Sequence, residues 1–230
     1  MDREPRNIVV TGATRGLGLA LAVALSRGGH QVFCCGRSAS ACEQLQTQHP
    51  RIQFSAVDVS RAEQVREWAD AIVARSGPPD LLVNNASLIN RRAPLWELPA
   101  DEFDRVMAVN VGGVVNVCQA FLPAMVRAGA GIVVNISSSW GRQAESTLAP
   151  YCASKFAVEG LTQSLAQELP EGMAAVSLDP GGGIDTEMLR SCLGSEAAQY
   201  PSPETWAAMA APFLLALTSS DNGKALTVQA

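Results

Sequence analysis

Histidine is almost missing from this chain: His30 and His49 are the only two in 230 residues. The six cysteines, at 34, 35, 42, 118, 152 and 192, contain no C-x-x-C pair. Zinc sites draw on histidine or on closely spaced cysteines, so no metal site is expected. Lysine occurs only at 155 and 224, and tyrosine only at 151 and 200. Basic excess is also lacking, because the net charge is −5. That argues against a nucleic-acid partner, which calls for a basic face. Residues 1–7 carry charges of both signs, and the apolar run before Gly12 is too short for a signal peptide. With no secretory signal, the cysteines read as reduced thiols in the cytoplasm. The longest apolar stretch, 106–126, is interrupted by Asn110, Asn116, Gln119 and Pro123. It reads as a buried helix, and no membrane span is expected. No repeat, low-complexity linker or break in composition divides the chain, so residues 1–230 are expected to form a single domain.

What is present is a regular alternation. Short β-rich runs lie at 7–11, 31–35, 52–57, 81–84, 132–137, 175–178 and 225–228. Helical patterns fall between them, at 17–28, 39–48, 61–75, 100–127, 150–169 and 203–217. The β runs are mostly continuous in apolar character, which suits parallel strands covered on both faces. The pattern predicts an α/β fold: a Rossmann-like, doubly wound parallel sheet of about seven strands with helices on both faces.

The first βα junction reads TGATRGLG, with glycine at 12, 16 and 18. A helix N-terminus after a strand presents free N–H groups and a favourable dipole to an anion. Gly12 permits a tight turn, Gly16 lets backbone approach a pyrophosphate, and Gly18 allows close packing. The spacing is G-x3-G-x-G, and no G-K-[ST] follows, so it is not a Walker P-loop. On glycines alone, a purely structural turn stays open.

TGATRGLG resembles the cofactor fingerprint of the short-chain dehydrogenase/reductase family, in particular its carbonyl- and 3-oxoacyl-reducing members. The resemblance runs through residues 7–228. It implies that Gly12, Thr14, Arg15, Gly16, Leu17 and Gly18 bind a dinucleotide. The second strand ends CCGRSAS, with Arg37 where an acid would favour NAD. Arg37 and Arg15 are suited to grip a 2′-phosphate, so NADP(H) is the expected cofactor. In VDV (57–59), Asp58 and Val59 resemble the adenine-contacting segment. NNAS (84–87) resembles the family's N-N-A-G, with Asn85 and Ala86 lining the cofactor and Ser87 replacing the usual glycine.

Tyr151 and Lys155 lie four residues apart in a helical pattern, on one face. Lysine is rare here, so retaining it suggests a task that arginine does badly. Reducing a carbonyl by hydride creates an alkoxide that needs a proton. A lysine cation lowers a tyrosine's pKa, which would let Tyr151 serve as general acid in reduction and general base in oxidation. The family resemblance adds that Lys155 bonds the nicotinamide ribose. By family spacing, Ser138 in NISSSWG holds the substrate oxygen, although Ser137 and Ser139 adjoin it. By the same resemblance, Asn110 in VMAVNVGG holds a water linking Lys155 to solvent; as a buried amide it can equally mend a helix kink. DPGGGIDTEM resembles the family's P-G-x3-T segment, which touches the nicotinamide amide. Pro180, Gly181, Ile184 and Thr186 are the matching residues, with the threonine one place late.

Residues 187–202 are expected to form a substrate lid. Arg91, Arg92 and Trp96 suggest either an anion-binding loop or a solvated surface. Family members assemble through long helices, so a homodimer or homotetramer is expected. The function expected is hydride transfer between NADP(H) and a small carbonyl or secondary alcohol. The rivals are an NAD-linked alcohol dehydrogenase of the same fold and a non-catalytic NADP(H)-binding regulator or scaffold. An epimerase or dehydratase is disfavoured, because 230 residues leave little room for a nucleotide-sugar domain.

Overall fold

Apolar side chains that alternate along a buried parallel strand must find cover on two faces. In the computed structural model, which describes residues 4–228, they do. Residues 1–3 and 229–230, the two ends of the expected domain, lie outside the described residues. The strands are β1 (Asn7–Val10), β2 (Gln31–Gly36), β3 (Ile52–Ala56), β4 (Leu81–Asn84), β5 (Gly131–Ile136), β6 (Met173–Asp179) and β7 (Ala225–Thr227). They form one sheet in the order β3-β2-β1-β4-β5-β6-β7. Every pairing is parallel. This is the doubly wound, Rossmann-like arrangement, and chain order reverses between β1 and β4.

The helices are α1 (Gly16–Arg27), α2 (Ala39–Gln48), α3 (Ala62–Ser76), α4 (Ala100–Met107), α5 (Gly113–Ala128), α6 (Ala149–Glu168), α7 (Glu187–Leu193) and α8 (Pro203–Ala216). Ile8 and Val10 turn to one face, with Leu21 and Leu25 of α1 and Trp206 and Leu214 of α8. Val9 turns to the other, with Trp68 of α3, Phe121 of α5 and Val158 of α6. Trp68 and Phe121 meet edge to face, with ring centres 5.5 Å apart.

Two elements differ from the sequence expectation. The helix expected over 100–127 is α4 and α5 joined by a wide π turn, Ala108–Gly112. Asn110 sits in that turn. Its Oδ1 accepts from the Leu88 N–H at 2.7 Å, and its Nδ2 donates to the Leu88 carbonyl at 2.8 Å. A side chain gripping a neighbouring loop in this way is a recognised cause of local distortion. Just beyond, Gly113 passes so near Val59 that a Cβ would lie 2.7 Å from its methyl. By length and composition the run Ala100–Ala128 could cross a membrane; here Val117, Phe121 and Met125 are buried in the core. The second difference is that most of the expected lid is helical. Thr186 caps α7 by accepting from the Leu189 N–H at 3.1 Å, and a short 3-10 segment, Gly194–Gln199, follows.

The six cysteines are free thiols, five of them buried. Burial pushes Cys35 and Cys118 up to about 12, so these act as packing groups and not as nucleophiles.

Candidate active site

A cleft of about 800 Å³ opens at the carboxyl ends of the strands, where the order reverses. Open α/β sheets bind ligands at this point. Its first wall is the turn between β1 and α1. Thr11 Oγ1 accepts from the N–H groups of Asn85 and Ala86, each at 3.0 Å. The Asn85 amide donates back to the carbonyls of Thr11 and Gly12, at 2.8 and 3.1 Å. Asn85 thus borders the cleft while its amide holds the turn. Gly12 has φ +64°, and a Cβ there would meet Ala86 Cα at 2.6 Å. At Gly18 a Cβ would lie 2.5 Å from the Asn85 amide nitrogen, so its bareness serves packing against the clamp itself. Gly16, at φ +55°, starts α1, and Arg15 before it supplies no side-chain cap. The N-terminus of α1 is therefore open to an anion.

Arg37 and Arg15 stand exposed at one end of the cleft. Arg15 already has a partner, Glu187 at the start of α7, at 2.5 Å. Among the described residues no carboxylate lies within ion-pair distance of Arg37. Thr14 packs its side chain over Gly36, where a Cβ would clash with it. Gly36 went unnoticed in the sequence, although it directly precedes Arg37. Asp58 borders the same end, with Oδ1 accepting from Ser60 N–H and Oγ at 2.9 and 2.7 Å. The Val59 carbonyl accepts from Asn116 at 2.8 Å. Ser87 adopts an ordinary backbone conformation, since Thr147 is the only described non-glycine with positive φ. Replacing the family glycine therefore brings no strain. The buried Ser87 Oγ lacks a partner.

At the centre, β5 runs into Ser138, which caps the 3-10 turn Ser139–Gly141. The sequence left three serines in contention. Ser137 is buried, Ser139 is exposed, and Ser138 is the one whose hydroxyl acts on the Tyr151 phenol, working to lower its pKa. Tyr151 and Lys155 rise from α6 and are both buried. Lys155 Nζ lies 5.5 Å from the centre of the Tyr151 ring and donates to the Ile136 carbonyl at 2.8 Å. One of its three donors is so engaged.

The electrostatics correct one expectation. Lys155 does not bring the Tyr151 hydroxyl down here. Burial pushes Tyr151 well above its ordinary value, the Ser138 bond opposes this, and Cys192, Cys152 and Asp179 add to the rise. Burial also lowers Lys155, to about 8, while Glu159 works to keep it charged. Glu159, one turn further along α6, escaped sequence reading. It accepts from Arg142 Nε at 3.0 Å and from Ser177 Oγ at 2.5 Å. The available signal was its i+4 spacing from Lys155. Gly141 was also missed; a Cβ there would sit 2.9 Å from Lys155 Cβ.

All the predicted site residues border this cleft except Asn110 and Gly181. Asn110 lies behind the wall. Both its N–H donors are engaged, by the Leu88 carbonyl and by Ser154 Oγ at 2.9 Å. Gly181 turns away, at φ +93°, where a Cβ would strike the Val228 carbonyl. Pro180 accepts at its carbonyl from the Trp206 indole at 2.9 Å. Ile184 packs into the core with one edge on the cleft, and Thr186 stands over Gly16. Leu17 likewise packs against the core behind the turn. Arg91 and Arg92 are engaged elsewhere: Arg91 with Glu102 at 3.5 Å, and Arg92 with Glu145 at 2.6 Å. Trp96 is 85% exposed.

The cleft fits a dinucleotide. It pairs an uncapped helix N-terminus and a bare Gly16 with two arginines at one end. At the other it has a buried serine hydroxyl without a partner and a lysine with donors to spare.

Comparison with known proteins agrees with this geometry. Residues 6–196 match the family profile described as short chain dehydrogenase. A protein of Arabidopsis thaliana named NADPH-dependent pterin aldehyde reductase is 46% identical over 226 residues, covering 97% of this chain and 93% of its own. A gluconate 5-dehydrogenase of Gluconobacter oxydans is 37% identical, over 82% of this chain and 75% of its own. A crystal structure of a gluconate 5-dehydrogenase from Burkholderia cenocepacia, in complex with NADP and tartrate, superposes with a TM-score of 0.85 at 31% identity. It covers 99% of this chain and 95% of that one. The chain belongs to the short-chain dehydrogenase/reductase family.

Proposed function

We propose that this protein is an NADP(H)-dependent oxidoreductase that reduces small carbonyl compounds to alcohols. The observation that carries the reading is the trio at the cleft's centre: the buried Tyr151, Ser138 acting on its hydroxyl, and the buried Lys155 ammonium beside the ring. The relative named an NADPH-dependent reductase and the solved structure holding NADP support the choice of cofactor.

When bound, NADPH supplies the hydride that forms the new C–H bond. The N–H groups at the start of α1 hold the pyrophosphate beside Gly16. Arg37, with Arg15, grips the 2′-phosphate, and Glu187 must yield Arg15 or share it. Asp58 and Val59 flank the adenine. Ala86 and Ser87 line the nicotinamide ribose, and the unused donors of Lys155 bond its hydroxyls. Pro180, Ile184 and Thr186 wall the carboxamide side. Ser138 donates to the substrate oxygen and fixes it next to Tyr151. Tyr151 gives that oxygen its hydroxyl proton as the C=O π bond opens. Asn110 positions Leu88 and Ser154 behind this group. Residues 187–202 close over the substrate as a lid on one single-domain unit. We further propose a cytoplasmic homodimer or homotetramer with no membrane or nucleic-acid partner. Phe103, Val126 and Phe156 expose apolar surface on α4, α5 and α6.

Removing the proton donor tests the mechanism. Tyr151→Phe is expected to lower kcat by about 10²-fold or more while NADPH affinity, followed by nicotinamide fluorescence, stays within about twofold. Undiminished turnover would contradict the assignment, and a scaffold without turnover predicts no effect at all.

The cofactor argument is tested at Arg37. Arg37→Asp should weaken NADPH binding by about tenfold or more and swing preference toward NADH. An NAD-linked enzyme would be nearly indifferent.

A pH dependence follows from Lys155. Its charge is needed, and it is lost as pH rises through about 8. Tyr151, pushed upward, stays protonated over that range and adds no limb of its own. Reductive kcat/KM should therefore fall above about pH 8. The other charged groups around Lys155 are Glu159 on the same helix, Arg142 after the 3-10 turn and Asp179 at the end of β6. Glu159→Gln removes the carboxylate that favours the ammonium, so the fall should move to lower pH, with Glu159→Asp restoring most of it. An unmoved limb in a folded Glu159→Gln protein would leave Glu159 with a packing role only.

Light scattering on the purified protein addresses assembly. A mass of two or four chains is expected, and a monomer at micromolar concentration would sink the oligomer proposal.

A further inference from the structure

We infer that the carbonyl reduced here is borne on an uncharged, flat aromatic body, and that carboxylated carbonyls such as sugar acids are poor substrates. The inference rests on the carbonyl-reductase reading above and concerns the substrate end of the same cleft.

The cleft is sorted by charge. Its charged lining residues are Arg15, Arg37, Asp58, Lys155, Asp179 and Glu187. Four of these belong to the nucleotide end. Arg15 and Glu187 pair with each other, Arg37 stands beside the same turn, and Asp58 is bonded to Ser60. Lys155 bonds the Ile136 carbonyl, and Asp179 accepts from the Gly181 N–H at 3.1 Å. Beyond Tyr151 the lining changes to Ile89, Trp140, Met188, Cys192 and Tyr200. Ile89, Trp140, Met188 and Cys192 pack as one apolar group around Leu148, Tyr151 and Cys152.

Among the described residues, the arginines nearest this end are all engaged by other partners, and Lys155 lies buried behind the Tyr151 ring. Arg92 lies near Cys192, but its guanidinium is paired with Glu145. Arg190 grips Asp185 through two bonds, at 2.6 and 2.7 Å. Arg91 is held by Glu102 and by the Glu97 carbonyl. An anion entering this end would instead face Asp179, whose charge is felt at Tyr151. Taking a carboxylate out of water with no partner is strongly unfavourable.

A flat ring finds matching walls. The chain has only 5% aromatic residues, yet Trp140, Tyr151 and Tyr200 all line this cleft. Trp140 meets Tyr151 edge to face, 6.1 Å between centres at 86°. Tyr200 lies against Gly183, where a Cβ would come within 2.5 Å of the ring, and is 41% exposed. One side of that ring is therefore covered by backbone while the residue keeps open surface at the cleft. Met188 adds a deformable contact. Rings prefer such stacked and edge-on neighbours over aliphatic chains of similar size.

The test is NADPH oxidation with benzaldehyde, heptanal, 4-carboxybenzaldehyde and 5-keto-gluconate. Benzaldehyde should exceed each of the other three by about tenfold or more in kcat/KM. Tyr200→Ala should narrow the gap between benzaldehyde and heptanal. Met188→Arg should raise 4-carboxybenzaldehyde relative to benzaldehyde. Equal or faster turnover of either carboxylated compound by the unmodified protein would overturn the claim about charge. Equal turnover of heptanal would overturn the claim about the ring. If the protein binds NADPH yet reduces none of the four, and no alcohol reduces NADP+, the carbonyl-reductase reading itself fails, and this inference with it.

Discussion

One lysine ammonium, shut away from water at the end of a parallel sheet, is the constraint on which the site depends. Lys155 is buried, and burial acts to strip its charge. What sustains the charge is local: the Ile136 carbonyl at 2.8 Å and the Glu159 carboxylate one turn away. Glu159 must in turn be held, and Arg142 and Ser177 hold it. Arg142 continues to β7, donating to Thr227 Oγ1 at 3.0 Å and the Leu226 carbonyl at 2.9 Å. The short edge strand, the catalytic helix and the lysine are thereby joined in one polar network. A network of this kind fixes positions only while every member is satisfied.

The opposite end of the cleft is built by a different economy. At the β1–β4 junction, the residues nearest the expected pyrophosphate serve mainly to shape backbone. Thr11 and Asn85 clamp the two strand ends through four hydrogen bonds. Gly12 and Gly18 leave room for that clamp, and Gly36 leaves room for Thr14. The bare glycines that open the sequence are thus needed twice. Gly16 faces the anion, and the others let the protein's own polar side chains come close.

Much of this was legible beforehand, for reasons that can be named. The continuous apolar strands announced a sheet covered on both faces, and Ile8, Val9 and Val10 alternate between two cores accordingly. The Tyr151–Lys155 spacing stood out because tyrosine and lysine are so rare in the chain. The parts that stayed hidden depend on partners distant in sequence. Glu159 gains its meaning from Arg142 and Ser177, and Gly141 from the body of Lys155. Asn110 was marked, and the structural half of its expected task, an amide at a helix distortion, rests on a tie to Leu88 that lies across 22 residues. Gly181 fits the family pattern, yet an extra glycine lets the chain turn toward Val228 at that point. Tyr151 was expected to have a lowered pKa. Proximity of a cation implied that, but the depth of burial, which outweighs it here, is a property of the fold.

The most direct test of the buried-ammonium account uses the scarcity of lysine. With Lys155 and Lys224 the only two, protein grown with 13Cε-labelled lysine gives two NMR signals, and Lys155→Met assigns them. Titration of the Lys155 signal near pH 8 in the cofactor-free protein is the predicted result. Titration near the ordinary lysine value of about 10.4 would contradict the account.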